Sequence, residues 1–242
     1  MTRWRQRGDI WQLEPAGTPR GCIEFIGGSY LAATPQLSYR RLLEALGAKG
    51  WLVRAWSYVP GFDHQDQANT AWRRFRQLRE TDGQAPLRLG HSLGCKLHLL
   101  APDGGRGCDA LVALSFNNFS AERSVPLLAE LGQQFNFRSE FSPSPEETLH
   151  QVARSYRQPR NLLVRFMRDG IDQSSRLLGV LQSRAEDATE LLELPGDHLA
   201  PASAGLRQNL LGNWADDPAR QRALDRIATS IDGWGNHSPQ AP

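Results

Sequence analysis

Short β-type runs recur along this chain with helical stretches between them, and that alternation restricts the fold more than any other feature. The runs are CIEFI (22–26), WLVRAWSY (51–58), LRLG (87–90), ALVALSF (110–116), NLLVRFM (161–167) and TELLEL (189–194). A strand that is followed by a helix before the next strand returns parallel to its predecessor, in a right-handed unit. The series therefore predicts a mostly parallel sheet between two helix layers. DIWQLEP near the start is expected to add an edge strand.

The helical stretches carry their own punctuation. Thr34 reads as an N-cap with Pro35 at the first helical position, and Gly47 or Gly50 closes that helix, whose buried stripe is Leu42, Leu43 and Leu46. Asp63 to Arg79 places Trp72, Phe75 and Leu78 on one face, and Asp217 to Trp234 does the same with Leu224, Ile227, Ile231 and Trp234. Residues 120–158 break the alternation with a strandless helical segment, far longer than a normal connection. Within it Ser144-Pro145-Glu146-Glu147 fits a capping box, Leu149, Val152 and Tyr156 share a side, and Phe135, Phe137 and Phe141 cluster between the helical pieces. A lid inserted in a single domain spanning 1–242 is the functional reading, and a decorative helical hairpin is the bland one. The tail GNHSPQAP is expected to fray.

Composition excludes several classes. With 242 residues, 40% apolar and 22% charged, the chain has the profile of a soluble globular protein. A net charge of +2, carried almost wholly by arginine since Lys49 and Lys96 are the only lysines, gives no reason to expect a nucleic-acid partner. Cys22, Cys95 and Cys108 form no C-x-x-C pair, so they read as reduced core thiols in a cytoplasmic protein. MTRWRQRGDIWQLEP has positive charge with no apolar segment behind it, unlike a signal peptide. No apolar run approaches the roughly 18 residues of a membrane span. The basic helix face in WRRFRQLR leaves peripheral contact with acidic lipid open, and nothing in the sequence sets an oligomeric state.

The chemistry centres on LRLGHSLGCKLHLL (87–100). A strand, Gly90-His91-Ser92-Leu93-Gly94 and a helix make the strand-turn-helix in which a strained serine is lifted clear of a sheet, with glycines where neighbouring side chains have no room. Serine needs a base, and the base needs an orienting acid. In such a fold these follow in the order Ser, acid, His, each past the end of a later strand. NLLVRFMRDGID supplies Asp169, with Asp172 as the alternative acid, and TELLELPGDHLAP supplies His198. Asp169 is favoured because it lies nearer the strand end; Asp172 then caps the following helix. Asp197 and His91 read as structural. Developing oxyanion charge calls for preorganised donors. The Leu93 amide is one, and FIGGSYLAATP offers the amide of Gly28 or Ser29 as the other. His64, Asn117 and Asn118 also follow strand ends. Loop-fixing hydrogen bonds are their stronger reading, and substrate positioning the alternative. Asp63, His64, Asp197 and His198 do not form an H-E-x-x-H-type array, so no metal is expected, nor any cofactor.

This ordered set resembles the α/β-hydrolase superfamily. EFIGGSYLAATPQLSYRRLLEAL, GFDHQ, GHSLGCKLHLL, SFNNF and FMRDGID more closely resemble an uncharacterised α/β-hydrolase-like family of cyanobacteria and plant plastids, from about Phe25 to His198. The superfamily resemblance implies an α/β-hydrolase fold with a helical lid insertion, and nucleophile, acid and base roles for Ser92, Asp169 and His198. Two functions compete. One is a serine hydrolase acting through an acyl-enzyme on a small-molecule or lipid-like ester or thioester, with a hydrophobic acyl or alcohol group suggested by the aromatic-bearing lid. The other is a non-catalytic binding or assembly factor on the same scaffold.

Overall fold

The computed structural model describes residues 3–79, 85–124, 140–202 and 218–236. Phe135, Phe137, Asp217, His237 and the end of the tail lie outside the described residues. Eight strands are found among the described residues: β1 Trp4–Arg7, β2 Ile10–Leu13, β3 Gly21–Ile26, β4 Trp51–Trp56, β5 Leu87–His91, β6 Ala110–Leu114, β7 Asn161–Phe166 and β8 Glu190–Leu194. They form one sheet in the order β1-β2-β4-β3-β5-β6-β7-β8. β3 to β8 run parallel, and β1 and β2 add an antiparallel pair beside β4. This is the α/β-hydrolase fold.

One expectation about the sheet is corrected. The strand in DIWQLEP is not the edge, because β1 folds back onto it from outside. Gly8 at φ +62° supplies the left-handed turn. The partner run WRQR is polar and largely exposed, so it carries little of the apolar pattern that marks an inner strand.

The helices among the described residues are α1 Pro35–Ser38, α2 Arg40–Ala48, α3 His64–Arg79, α4 Leu93–Leu99, α5 Ala121–Ser124, α6 Pro145–Ser155, α7 Ser174–Gln182 and α8 Pro218–Asn236. Alternation along β6 shows how they are divided between the faces. Ala110, Val112 and Leu114 pack with Leu42 and Leu46 of α2 and Leu224, Ile227 and Ile231 of α8. Leu111 and Ala113 pack with Leu149 and Val152 of α6 and Leu177 of α7. Each fully buried aliphatic side chain contributes about 1.5–3 kcal/mol. These two cores leave the C-terminal strand ends to hold the site, as expected for open parallel sheets.

Two charged pairs fasten helices and loops to the sheet. Glu24, fully buried in β3, is bound by Arg79 from the end of α3. Arg88 in β5 holds Asp103 at 2.6 Å. Removing one partner of such a pair strands a buried charge, at a cost of about 3–5 kcal/mol.

Cys22, Cys95 and Cys108 are buried thiols. The capping box at Ser144 forms, with Glu147 and Ser144 exchanging side-chain-to-backbone hydrogen bonds at 2.9 and 3.3 Å. The helix expected from Thr34 instead divides at Tyr39 into α1 and α2, and Thr34 makes no side-chain capping bond. Tyr39 stands at that break with φ −121°, and its side chain is drawn wholly into the core. Among the described residues no helix is long and apolar enough to cross a membrane.

Candidate active site

Ser92 follows β5 directly and adopts φ 54°, ψ −119°, a strained backbone for any residue with a side chain. The neighbouring glycines are dictated by space. A Cβ on Gly94 would fall 2.0 Å from the Ile26 carbonyl oxygen, and one on Gly90 would fall 2.6 Å from the Cys95 nitrogen. Only glycine lets α4 start this close to β3 and turn this sharply out of β5. The serine hydroxyl is thereby presented at the strand ends.

His198, past the end of β8, reaches Ser92: its Nε2 lies 3.0 Å from Ser92 Oγ. Its Nδ1 lies 2.8 Å from Asp169 Oδ2. An ionised carboxylate only accepts, so Nδ1 carries the proton and Nε2 turns its lone pair toward the serine hydroxyl. Burial works to raise the Asp169 pKa, but hydrogen bonds from His198 and the Ile171 amide, with the Ser115 hydroxyl beside it, outweigh burial and hold it below the usual carboxylate range. Asp169 therefore stays charged at neutral pH. The three side chains form a Ser-His-Asp triad, the arrangement of a serine hydrolase.

Asp172 does something else. It accepts from the Ser174 amide at 3.0 Å and the Ser174 hydroxyl at 2.8 Å at the start of α7. Burial, with the nearby charge of Asp169, pushes its carboxyl up. Asp197 accepts from the Leu199 amide and shapes the turn that carries His198.

The donors for an oxyanion can be sorted in the same way. Leu93 opens α4 and Ser29 opens the short 3₁₀ turn Ser29–Leu31, so neither amide has an acceptor within its helix. The Gly28 amide was equally expected, but it donates to Tyr39 Oη at 2.8 Å. Gly28 itself packs against the nucleophile: a Cβ there would lie 3.1 Å from Ser92 Cβ.

Tyr39 is a residue that motif reading passed over. Its hydroxyl lies 2.7 Å from His91 Nδ1, and His91 Nε2 lies 2.8 Å from the His198 carbonyl oxygen. A carbonyl accepts, so His91 Nε2 bears the hydrogen, Nδ1 is the acceptor and Tyr39 donates. Burial lowers the His91 pKa to about 3, which keeps the ring neutral. One chain of hydrogen bonds thus runs from the Gly28 loop through Tyr39 and His91 to the backbone of His198.

The residues read as loop-fixing, with substrate positioning as the alternative, separate. Asn117 lines a cavity of about 330 Å³ together with Ser92 and His198, and its side chain bonds Ile171 O and Phe119 N, both at 3.3 Å. Asn118 lies outside that lining; it is buried and ties its loop to Pro145 O at 2.8 Å and to Gln173 Oε1 at 2.7 Å. His64 is also absent from the lining, buried and stacked 4.2 Å from the Phe141 ring. Phe141 lies 77 positions later in the chain, out of reach of local motif reading. Arg123, which local patterning also missed, does line the cavity.

Solved structures with this architecture are many. Carboxyl esterase 2 from Tuber melanosporum superposes with a TM-score of 0.64 at 16% identity, covering 96% of this chain and 86% of that one. The butyrate-bound Est2 esterase of Thermogutta terrifontis gives 0.62 at 16%, covering 99% and 96%. The monoacylglycerol lipase of Paleococcus ferrophilus gives 0.57 at 17%, covering 93% and 99%. At such identities the likeness establishes the shared fold alone. Among curated proteins none matches the sequence. Residues 3–218 match the family described as "Protein of unknown function (DUF1350)", and the chain belongs to that family.

Proposed function

We propose that this protein hydrolyses a carboxylic ester or thioester of a small, lipid-like molecule, with Ser92 as nucleophile, His198 as acid-base and Asp169 as its orienting partner. The observation that carries the reading is the unbroken relay from Ser92 Oγ to His198 Nε2 at 3.0 Å and from His198 Nδ1 to Asp169 at 2.8 Å. Ser92 Oγ adds to the acyl carbon as its proton passes to His198 Nε2. The negative oxygen is met by the amides of Leu93 and Ser29. Collapse breaks the bond to the alcohol or thiol, which leaves with the proton held by His198. Water then repeats the sequence on the acyl-enzyme and releases the acid.

The titles of neighbouring structures name an esterase, a monoacylglycerol lipase and a thioesterase domain, which supports acyl-oxygen or acyl-sulfur cleavage over peptide cleavage. The 120–158 insertion is proposed as a lid, since Arg123 at its start already contributes to the cavity wall. The buried thiols support a cytoplasmic setting, and the kinship with plastid and cyanobacterial proteins rests on the sequence stretches alone.

Stopped-flow hydrolysis of p-nitrophenyl acetate tests the reading. An acyl-enzyme predicts a burst of nitrophenol of about one equivalent per chain followed by slower turnover. No burst and no turnover by the native, folded protein overturns the reading in favour of a binding factor.

A further inference from the structure

The cavity over Ser92 is mostly apolar, yet among its described lining residues it holds one fixed charge and no carboxylate. That charge is Arg123 on α5. Its guanidinium carbon sits 4.1 Å from the centre of the Phe119 ring, another residue of the same wall. A guanidinium carbon held over an aromatic ring makes a cation–π contact, which engages the charge without accepting its N–H donors. The ring limits where the side chain can swing without using up those donors.

Nothing among the described residues consumes them either. Arg123 makes no ion pair there, and Glu140 instead accepts the amides of Ala121 and Phe141 on its Oε1 at 2.8 Å each. Arg123 is exposed, and a solvated arginine resting on a phenylalanine is the plain explanation for such a side chain. It does not explain why the cation stands in the wall shared with the nucleophile. A planar fork of donors matches a carboxylate in two-pronged fashion. The cavity volume of about 330 Å³ lies at the small end of ligand sites, which suits a short molecule.

We infer that the substrate is a short ester or thioester bearing a carboxylate a few bonds from the scissile carbonyl, with Arg123 binding that carboxylate. The inference rests on the serine hydrolase reading and specifies its substrate class. Hydrolysis of such a compound consumes one water and releases either a dicarboxylic acid and an alcohol or thiol, or a monocarboxylic acid and a hydroxy or thiol acid. The reacting bond and the proton path are those already described.

Three esters of similar size decide it, followed by proton release at constant pH. Monoethyl glutarate carries the carboxylate on the acyl side, valeryloxyacetate carries it on the alcohol side, and ethyl valerate is neutral. The wild type is expected to favour one charged ester over ethyl valerate by roughly tenfold or more in kcat/KM, chiefly through KM. In R123Q that charged-to-neutral ratio is expected to fall to near one, and in R123K to be partly restored. For the wild type, raising salt from about 0.05 to about 0.5 M is expected to shrink the preference, which does not depend on a variant folding. Preference for ethyl valerate by the wild type, or a ratio unchanged by R123Q and by salt, overturns the inference. If none of the esters is cleaved but a fluorophosphonate labels Ser92, the carboxylate inference falls and the nucleophile stands. If Ser92 also fails to label, both fall together.

Discussion

Tyr39 donates its hydroxyl proton to His91 Nδ1 across 2.7 Å and so couples the loop after β3 to the loop that carries His198. The bond joins residues 52 positions apart, and both side chains are buried. Its consequence is that the Gly28 backbone and the His198 backbone are tied into one network rather than held separately. In Tyr39→Phe the Gly28 amide loses its acceptor and His91 Nδ1 its donor. Two buried groups left unsatisfied cost about 1–3 kcal/mol each, which together is roughly 4–24 °C in Tm for a chain of this size. Turnover of a neutral ester is expected to fall by about tenfold as the donor loop shifts. Thermal melting and steady-state kinetics read both; an unchanged Tm and kcat would show that the network positions nothing.

The acids at 169 and 172 are separable by experiment. Asp169→Asn keeps the shape but permits the wrong histidine tautomer, and a loss of about 10⁴ in kcat is expected. Asp172→Asn disturbs the start of α7, where the present carboxylate bonds Ser174 twice. It is expected to change stability by about 1 kcal/mol and kcat by less than about threefold. The reverse ranking in a matched kinetic assay would exchange the two roles.

Acid is expected to unfold the protein through its buried histidines. Burial lowers His64, His91 and His98 to about 3 each in the folded state. In the unfolded chain each titrates near 6.5. Between these values the unfolded state holds more protons, so the stability conferred by neutral, buried rings is complete above pH 6.5 and is lost as pH falls toward 3. Three groups give a slope of up to about 4 kcal/mol per pH unit. Thermal melts from pH 7.5 down to pH 4.5 should show Tm falling steeply below about pH 6. His98→Asn should remove about a third of that slope. A Tm flat from pH 7.5 to pH 5 would contradict the assigned neutral, buried rings.

Gly94 tests the spatial argument for the elbow. Because an added Cβ would overlap the Ile26 carbonyl at 2.0 Å, Gly94→Ala must push α4 away from β3. A loss of stability above about 3 kcal/mol is expected, with activity falling by at least about tenfold in whatever remains folded. Gly179, with open space around its position, is the control: Gly179→Ala lies in the interior of α7 and should be neutral or stabilising by up to about 1 kcal/mol. Equal behaviour of the two variants in melting curves would undo the argument.

Much of the site was legible because its residues mark the ends of elements with strong local patterns. LRLG ends in an elbow, NLLVRFM ends just short of Asp169, and TELLEL precedes His198 by a short turn. The order of these positions along the chain reflects the sheet's construction, so pattern alone located them. Tyr39 was not legible in the same way. Its sequence setting, QLSYRRLLEAL, reads as continuous helix, and its partner His91 lies in another unit of the fold. The fate of the Gly28 amide depended on that hidden tyrosine. His64 stacks on Phe141, again a long-range contact. WRQR was missed as a strand because an exposed edge requires no apolar alternation.

The central claim is that Ser92 is a nucleophile poised by His198. Intact mass spectrometry after treatment with a fluorophosphonate measures this directly, with wild type, Ser92→Ala and His198→Ala compared after each is shown to be folded. The account predicts one adduct per wild-type chain, located at Ser92, none on Ser92→Ala, and labelling slowed by roughly 10³-fold or more in His198→Ala. A folded wild type that gains no mass, or that labels as quickly without the imidazole at 198, would contradict it.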